Sequence, residues 1–216
     1  METGGLGSEL YRRAFEAVTG RRMERQADVT GQTEPAILTA TLKLHGIEDD
    51  GTYQARYSEL LTEEYEEHRE ELRQRGRMLP GAREALAALA GRADVVQSVL
   101  SGNLKAVSMI KLEVFGLDRY VDFGAGAYGD DDTHRPSLVA VAQRRAGDRT
   151  GTRFSRSNTV IVGDSVQDVE TGLEGGAAVV AVASGSADAA TLRTAGAVTV
   201  WSDLVDTARV VEVLVP

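Results

Sequence analysis

The sequence predicts an α/β protein: a wholly helical first third, then a parallel β-sheet with helices on both faces. From residue 79 onward, short apolar runs alternate with amphipathic stretches, the pattern of strand–helix units. Before residue 79 the apolar residues recur at helical spacing only. Within Thr159 to Val180 the order strand, tight loop, helix, strand is marked by breakers. Gly163-Asp164-Ser165 ends one apolar run, and Gly175-Gly176 stops the helix that follows.

Met1 to Gly7 is a Gly-rich opening with no strand ahead of it. Ser8 to Val18 carries a helical stripe of Leu10, Ala14, Phe15 and Val18, closed by Gly20. Glu34 to His45 is a second helix with Gly46 as its stop, and Thr52 to Arg75 a third. The third is built on Tyr53, Tyr57, Leu60, Leu61, Tyr65 and Leu72, and its charge run from Glu63 to Glu71 reads as a solvated face. A short Ala/Leu helix to Ala90 leads into a strand at Val95–Leu100. The expected order is then helix 103–115, strand 120–124, helix 136–146, strand 159–162, a helix, strand 177–183, a helix and strand 197–201. No internal repeat or low-complexity linker interrupts it.

The chain has 216 residues, 42% of them hydrophobic and 26% charged, a globular composition. Its net charge of −9 argues against a nucleic-acid-binding surface. No cysteine is present, which removes disulfides and thiolate metal sites. No apolar run reaches membrane-spanning length and no signal-peptide region opens the chain, so a cytoplasmic location without a membrane partner is the expectation. The only lysines are Lys43, Lys105 and Lys111.

Three loops carry candidate chemistry. Ser101-Gly102-Asn103 follows a strand and opens a helix, presenting a hydroxyl and free backbone N–H groups where an anion can sit. Ser101 or Asn103 could equally be a plain helix cap. Arg135, just before Pro136 opens the next helix, could neutralise a phosphate or a carboxylate pair; an isolated Arg is more often a surface charge. Asp164 ends a buried parallel strand, where open α/β sheets place ligands, and Asp168 follows at the start of a helix. Two such carboxylates can seat a hard divalent cation, although Gly-Asp-Ser after a strand is also ordinary capping chemistry.

Taken in order, Ser101-Gly102-Asn103, Arg135 and Gly163-Asp164-Ser165-Val166-Gln167-Asp168 resemble motifs two, three and four of the haloacid dehalogenase-like hydrolase superfamily, in its phosphoglycolate-phosphatase-like branch. Leu79-Pro80-Gly81-Ala82-Arg83-Glu84-Ala85-Leu86 is similar to the segment returning from the helical cap to the core, and Gly31-Gln32-Thr33-Glu34-Pro35-Ala36-Ile37 to a recurrent cap segment. The resemblance covers nearly the whole chain. It implies a Rossmann-like core at 79–216, an all-helical cap at 8–78, and a remnant of a core loop at 1–7.

The resemblance also implies a phosphomonoesterase mechanism acting on a small phosphorylated metabolite. An aspartate on the first strand attacks phosphorus, a second two residues later is acid and then base, and Mg²⁺ offsets charge during transfer. Residue by residue, Ser101 would bind the phosphoryl group, with the N–H groups of Gly102 and Asn103 beside it. Arg135 would hold phosphate and nucleophile, Asp164 would ligate Mg²⁺, and Asp168 would support the ion directly or through water.

Two departures stand out. The family position at Arg135 is usually Lys, and a planar guanidinium is not equivalent to an ammonium; Lys105 and Lys111 lie inside the preceding helix, which favours Arg135. The Asp-x-Asp-Gly-Thr motif is absent, and Met1-Glu2-Thr3-Gly4-Gly5 matches only its tail. The first, central strand is then missing too. Met1 is expected to be an internal methionine of a longer protein, or the chain a true truncation. Loss of that strand exposes apolar edges on both neighbours and predicts impaired activity and stability. A dehalogenase would leave Asp164 and Asp168 unexplained, and a phosphonate hydrolase would need Lys43, on a helix, as its cap lysine. The competing class is a non-catalytic relative that binds phosphate and metal, or a partner.

Overall fold

In the computed structural model, which describes residues 1–29 and 31–215, helices cover the three stretches of the first third where the apolar spacing placed them. α1 spans Leu6–Thr19, α2 Glu34–Leu44, α3 Thr52–Glu67 and α4 Arg69–Arg75. α5 (Ala82–Ala90), α6 (Lys105–Val114) and α7 (Ser137–Thr150) follow, then β1 (Val160–Gly163), α8 (Val166–Gly175), β2 (Ala178–Val182), α9 (Ala189–Thr194), β3 (Thr199–Trp201) and α10 (Thr207–Leu214). The single helix expected over 52–75 is interrupted at His68. Its ring Nδ1 lies 2.8 Å from the Glu64 carbonyl oxygen, which also accepts the His68 backbone N–H. Side chain and backbone compete for one acceptor there.

Leu10 and Phe15 of α1, Leu38 and Leu42 of α2, and Tyr57 and Leu61 of α3 are buried in one cluster. That cluster also takes in Val107, Ile110 and Val114 of α6. Each such side chain contributes about 1.5–3 kcal/mol when fully buried. The helical third therefore shares its core with α6, and several kcal/mol hold the two together.

β1, β2 and β3 form a parallel sheet in that order, with Val160 opposite Ala178 and Val180 opposite Thr199. Successive residues of β2 face opposite layers. Val180 packs with Ala85, Trp201 and Val210, and Ala181 with Val169, Leu192 and Ala197. Both faces are thus covered, as parallel sheets require. α10 was not foreseen; its signals are the Asp206 cap, which accepts the Arg209 N–H at 3.1 Å, and the apolar spacing of Val210, Val211 and Leu214. Among the described residues no helix is long and apolar enough to cross a membrane.

Two expected strands are corrected. Val95–Leu100 is extended but makes only an isolated parallel bridge, Leu100 to Ala127. Residues 118–120 form a 3₁₀ turn where the strand over 120–124 should begin, and pairing starts at Asp122, whose N–H donates to the Gln97 carbonyl at 2.8 Å. Gly124 and Gly126 weaken this segment as a strand. Its partner is paired on one side only. Between that partner and β1 lies an open cleft of about 150 Å³, with Ser98 and Leu100 on one bank, Val160 and Ile161 on the other, and Val139 and Ala142 of α7 along it. Among the described residues no strand fills the position where the central one was expected.

Candidate active site

β1 delivers Asp164 to its carboxyl end, and the turn into α8 is fixed by reciprocal capping. Ser165 Oγ accepts the Asp168 N–H at 3.2 Å, and Asp168 Oδ2 accepts from the N–H of Ser165 at 3.2 Å. Such a cap contributes about 1 kcal/mol. Gly176 then ends α8 in the left-handed region, φ 85°, open to glycine at no steric cost. Asp168 Oδ2 also accepts from the Asp164 N–H at 3.0 Å and from Ser165 Oγ at 2.8 Å. Its Oδ1 accepts from Arg135 Nη2 at 2.6 Å. Both side chains are largely buried, 13% exposed for Arg135 and 16% for Asp168.

Asp168 therefore spends both oxygens on the loop and on Arg135. Asp164 does not. Its Oδ2 accepts the Ser186 N–H at 3.2 Å, and among the described residues nothing donates to Oδ1. The loop after β2 presses close: a Cβ on Gly185 would stand 1.6 Å from Asp164 Oδ2. Among the described residues no group of three or more His, Asp or Glu gathers into a metal cage. Mg²⁺ does not need one, since it keeps several waters and takes one or two carboxylates plus substrate oxygens. Asp164 fits that role, with Asp168 as a neighbour that fixes the loop.

The Ser101 loop is similarly tied down. The Ser101 N–H donates to the Ala127 carbonyl at 3.0 Å, and Ser101 Oγ accepts the Asn103 N–H at 3.1 Å. This leaves the Ser101 hydroxyl proton and the Gly102 N–H for an anion, but uses the Asn103 N–H internally. The start of α6 is occupied by carboxylates, as its dipole favours. Glu34 Oε2 accepts the Leu104 N–H at 3.2 Å, and Asp130 Oδ2 the Lys105 N–H at 2.5 Å. Lys111, set aside by its place within the helix, bonds through Nζ to Asn103 Oδ1 and lies 4.8 Å from the Tyr65 ring centroid.

Residues 31–35 strap these loops together. The Glu34 N–H donates to the Gly102 carbonyl at 2.8 Å, and Thr33 Oγ1 to the Thr133 carbonyl at 3.1 Å. A Cβ on Gly102 would meet the Gln32 carbonyl oxygen at 2.3 Å, one on Gly129 the Pro35 Cδ at 3.3 Å, and one on Gly31 the Gln167 side chain at 2.4 Å. Ser101, Arg135 and Asp164 thus come from three loops that border one segment of the helical third.

Burial holds the Glu34 carboxyl above its usual value, opposed by Lys111 and the Leu104 N–H and reinforced by Asp130. Asp131 moves the other way: burial raises it, but the Arg145 fork, at 2.6 and 2.7 Å, and the Tyr128 N–H together outweigh that. Sequence reasoning missed Glu34, Ser186 and the strap as parts of the site. Only the acid beside Pro35 at a helix start was a visible signal.

Loops gathered at the carboxyl ends of a parallel α/β core, strapped by a helical layer, place the chain among α/β proteins with a site at the sheet's carboxyl edge. The sequence model of the haloacid dehalogenase-like hydrolase family matches residues 7–172, more than half the chain, and the protein belongs to that family. None of the curated proteins compared with the sequence matches it. Among solved structures, a hydrolase from Pseudomonas syringae is similar at 19% identity and TM-score 0.67, over 96% of this chain and 93% of that one. A HAD family hydrolase from Deinococcus radiodurans R1, solved with bound phosphate and sodium, matches at 20% identity and TM-score 0.54, over 98% and 90%. These likenesses are of fold.

Proposed function

We propose that the chain is a Mg²⁺-dependent, phosphatase-type hydrolase of a small phosphorylated metabolite, phosphoglycolate-phosphatase-like, acting in the cytoplasm without nucleic-acid or membrane partners. Residues 8–78 serve as its cap and 79–216 as its core. The observation that carries this reading is the Arg135–Asp168 ion pair beside Asp164, whose Oδ1 is left free. That the D. radiodurans hydrolase of similar fold was solved with bound phosphate agrees with this reading.

In this reading Ser101 donates its hydroxyl proton to a phosphoryl oxygen and Gly102 its N–H. Arg135, held by Asp168, places its positive charge against the phosphoryl group rather than turning to solvent. Asp164, with Oδ1 free, would hold Mg²⁺. When bound, the ion polarises the phosphoryl oxygens and offsets charge in transfer. The strap 31–35 keeps water from the Gly102 loop. No described residue supplies the aspartate that the resemblance makes the nucleophile, so we expect poor turnover by the 216-residue chain and look to ligand binding for the test.

Isothermal titration of inorganic phosphate with Mg²⁺, and again with a chelator, separates the possibilities. Binding should need Mg²⁺ and be lost in Asp164→Asn. Equal affinity with and without Mg²⁺, unchanged in that variant, would sink the metal assignment. Ordinary enzyme rates on a phosphate ester, abolished by Asp164→Asn, would overturn the expected lack of a nucleophile.

A further inference from the structure

Lys111 sits in the last turn of α6, where a cation ordinarily turns to the carbonyls of the helix C-terminus. Here the side chain runs the other way. Its Nζ donates to Asn103 Oδ1, ahead of the first residue of α6, back along roughly 9 Å of helix rise between residues 105 and 111. Helical side chains lean toward the N-terminus, which makes this reach available. On the way the ammonium lies 4.8 Å from the centroid of the Tyr65 ring in α3, and its charge bears on the buried Glu34 carboxyl at the start of α2. Fixing a lysine in one rotamer costs about 1.5–2 kcal/mol of side-chain entropy, which these contacts offset. Asn103 passes the restraint on. Its N–H donates to Ser101 Oγ at 3.1 Å, and its carbonyl accepts the Gly129 N–H at 2.9 Å. A hydroxyl has one proton and two acceptor sites. With one acceptor site filled from inside the loop, the Ser101 proton is left to point out of it.

We propose that Lys111 is a positioning residue for the Ser101 loop: through Asn103 it fixes the N–H that occupies Ser101 Oγ, and so aims the Ser101 proton at a bound phosphoryl group. This rests on the reading of Ser101 as a phosphate donor. Lys111 touches no anion in this role, since Asn103 stands between the ammonium and the loop. The two cations divide the site: Arg135 faces the phosphoryl group, and Lys111 holds the group that donates to it. Lys111 also lies against Tyr65, and Glu34 accepts the Leu104 N–H at 3.2 Å. The direction of the Ser101 proton is thereby tied to the seating of α2 and α3 on α6. Helices displaced from α6 would release the lysine and with it the loop, so phosphate affinity depends on the helical third being in place.

The test titrates inorganic phosphate with Mg²⁺ into the full chain by calorimetry, and follows amide hydrogen exchange by nuclear magnetic resonance. Lys111→Met keeps an unbranched chain against Tyr65 but removes the donor. It should weaken phosphate binding about tenfold, the scale of one hydrogen bond from a charged group. The Asn103 amide should exchange about tenfold faster, while the Ser108 amide, bonded to the Leu104 carbonyl at 2.9 Å, should not change. Lys111→Arg keeps a donor and a charge and should recover most of both. Asn103→Ala breaks the same contact from the loop, so the double variant should bind no more weakly than the weaker single one. Losses that add would mean that the ammonium meets phosphate directly, and would overturn the proposal. Unchanged affinity or unchanged Asn103 exchange in Lys111→Met, or no recovery in Lys111→Arg, would overturn it too. Should Lys111→Met misfold by circular dichroism, Lys111→Gln, too short to reach Asn103, replaces it. If the native chain takes up no phosphate, the hydrolase reading falls instead, and exchange decides alone: a faster Asn103 amide upholds the positioning, an equal one overturns it.

Discussion

Arg135 and Asp168, thirty-three residues apart, meet through a single 2.6 Å hydrogen bond from Nη2 to Oδ1. This contact joins the loop before α7 to the first turn of α8, and nothing in the local pattern of either segment requires it. Asp168 is also the acceptor that closes the capping box, so one carboxylate orients both the Asp164 loop and the guanidinium.

Removing Arg135 should separate these roles. In Arg135→Ala, Asp168 keeps its bonds to Asp164, Ser165 N–H and Ser165 Oγ, so the loop stays folded. The loss in unfolding free energy should be about 3 kcal/mol, because the largely buried Asp168 carboxylate loses its counter-charge and keeps only its hydrogen bonds within the loop. Phosphate affinity should fall at least tenfold. Arg135→Lys should recover part of that affinity, since charge returns without the fork. Urea denaturation and phosphate titration of both variants check this.

Gly185 tests the position of Asp164 without altering its charge. A Cβ there would sit 1.6 Å from Asp164 Oδ2, so Gly185→Ala must displace the carboxylate or the loop. Mg²⁺-dependent phosphate binding should weaken by more than tenfold while the thermal midpoint changes little, as the loop is at the surface. A variant that binds Mg²⁺ and phosphate normally would show that Asp164's place in the loop is immaterial.

Gly102 makes the matching test on the strap. An added Cβ would stand 2.3 Å from the Gln32 carbonyl oxygen, which is backbone and cannot swing aside. Gly102→Ala should cost about 1–3 kcal/mol, the range for overpacking, and loosen the strap over the Ser101 loop. Hydrogen exchange at the Glu34 amide, bonded to the Gly102 carbonyl, should speed up more than at Leu38 within α2.

The helices were legible because their signals are local. Leu10, Ala14 and Phe15 repeat at helical spacing, and Gly20 and Gly176 mark ends. The loop from Gly163 to Asp168 was legible as a choice between cap and metal seat, and the structure gives each residue one part: Asp168 caps, Asp164 stays open. The strands at 95–100 and 120–124 read as apolar runs, but a run becomes a ladder only with partners on its edges, and one edge of 97–101 is bare. Glu34 and Lys111 were illegible for a different reason. Their parts depend on how α2 lies across the start of α6, a relationship that no period within either segment encodes.

Glu34 gives the sharpest pH test. Burial raises its carboxyl, Lys111 and the Leu104 N–H pull it back, and Asp130 pushes it up again, for a net rise. Tyr11 and Tyr57 lie in the same surroundings, both pushed up by burial, Tyr11 to about 12, so they stay neutral. A carboxyl whose folded pKa exceeds its unfolded value, near 4.3, favours folding fully below that pH and loses this contribution as pH rises through the folded pKa. Glu34→Gln removes the titration and keeps an oxygen for the Leu104 N–H. The variant's stability relative to the native chain should therefore be flat below about pH 4 and rise with pH above it, until the folded carboxyl has ionised. Urea denaturation of both proteins across that range reads the difference directly. A difference independent of pH would mean that Glu34 titrates as it does in the unfolded chain, and the buried contact to Leu104 would then have to be exposed in solution.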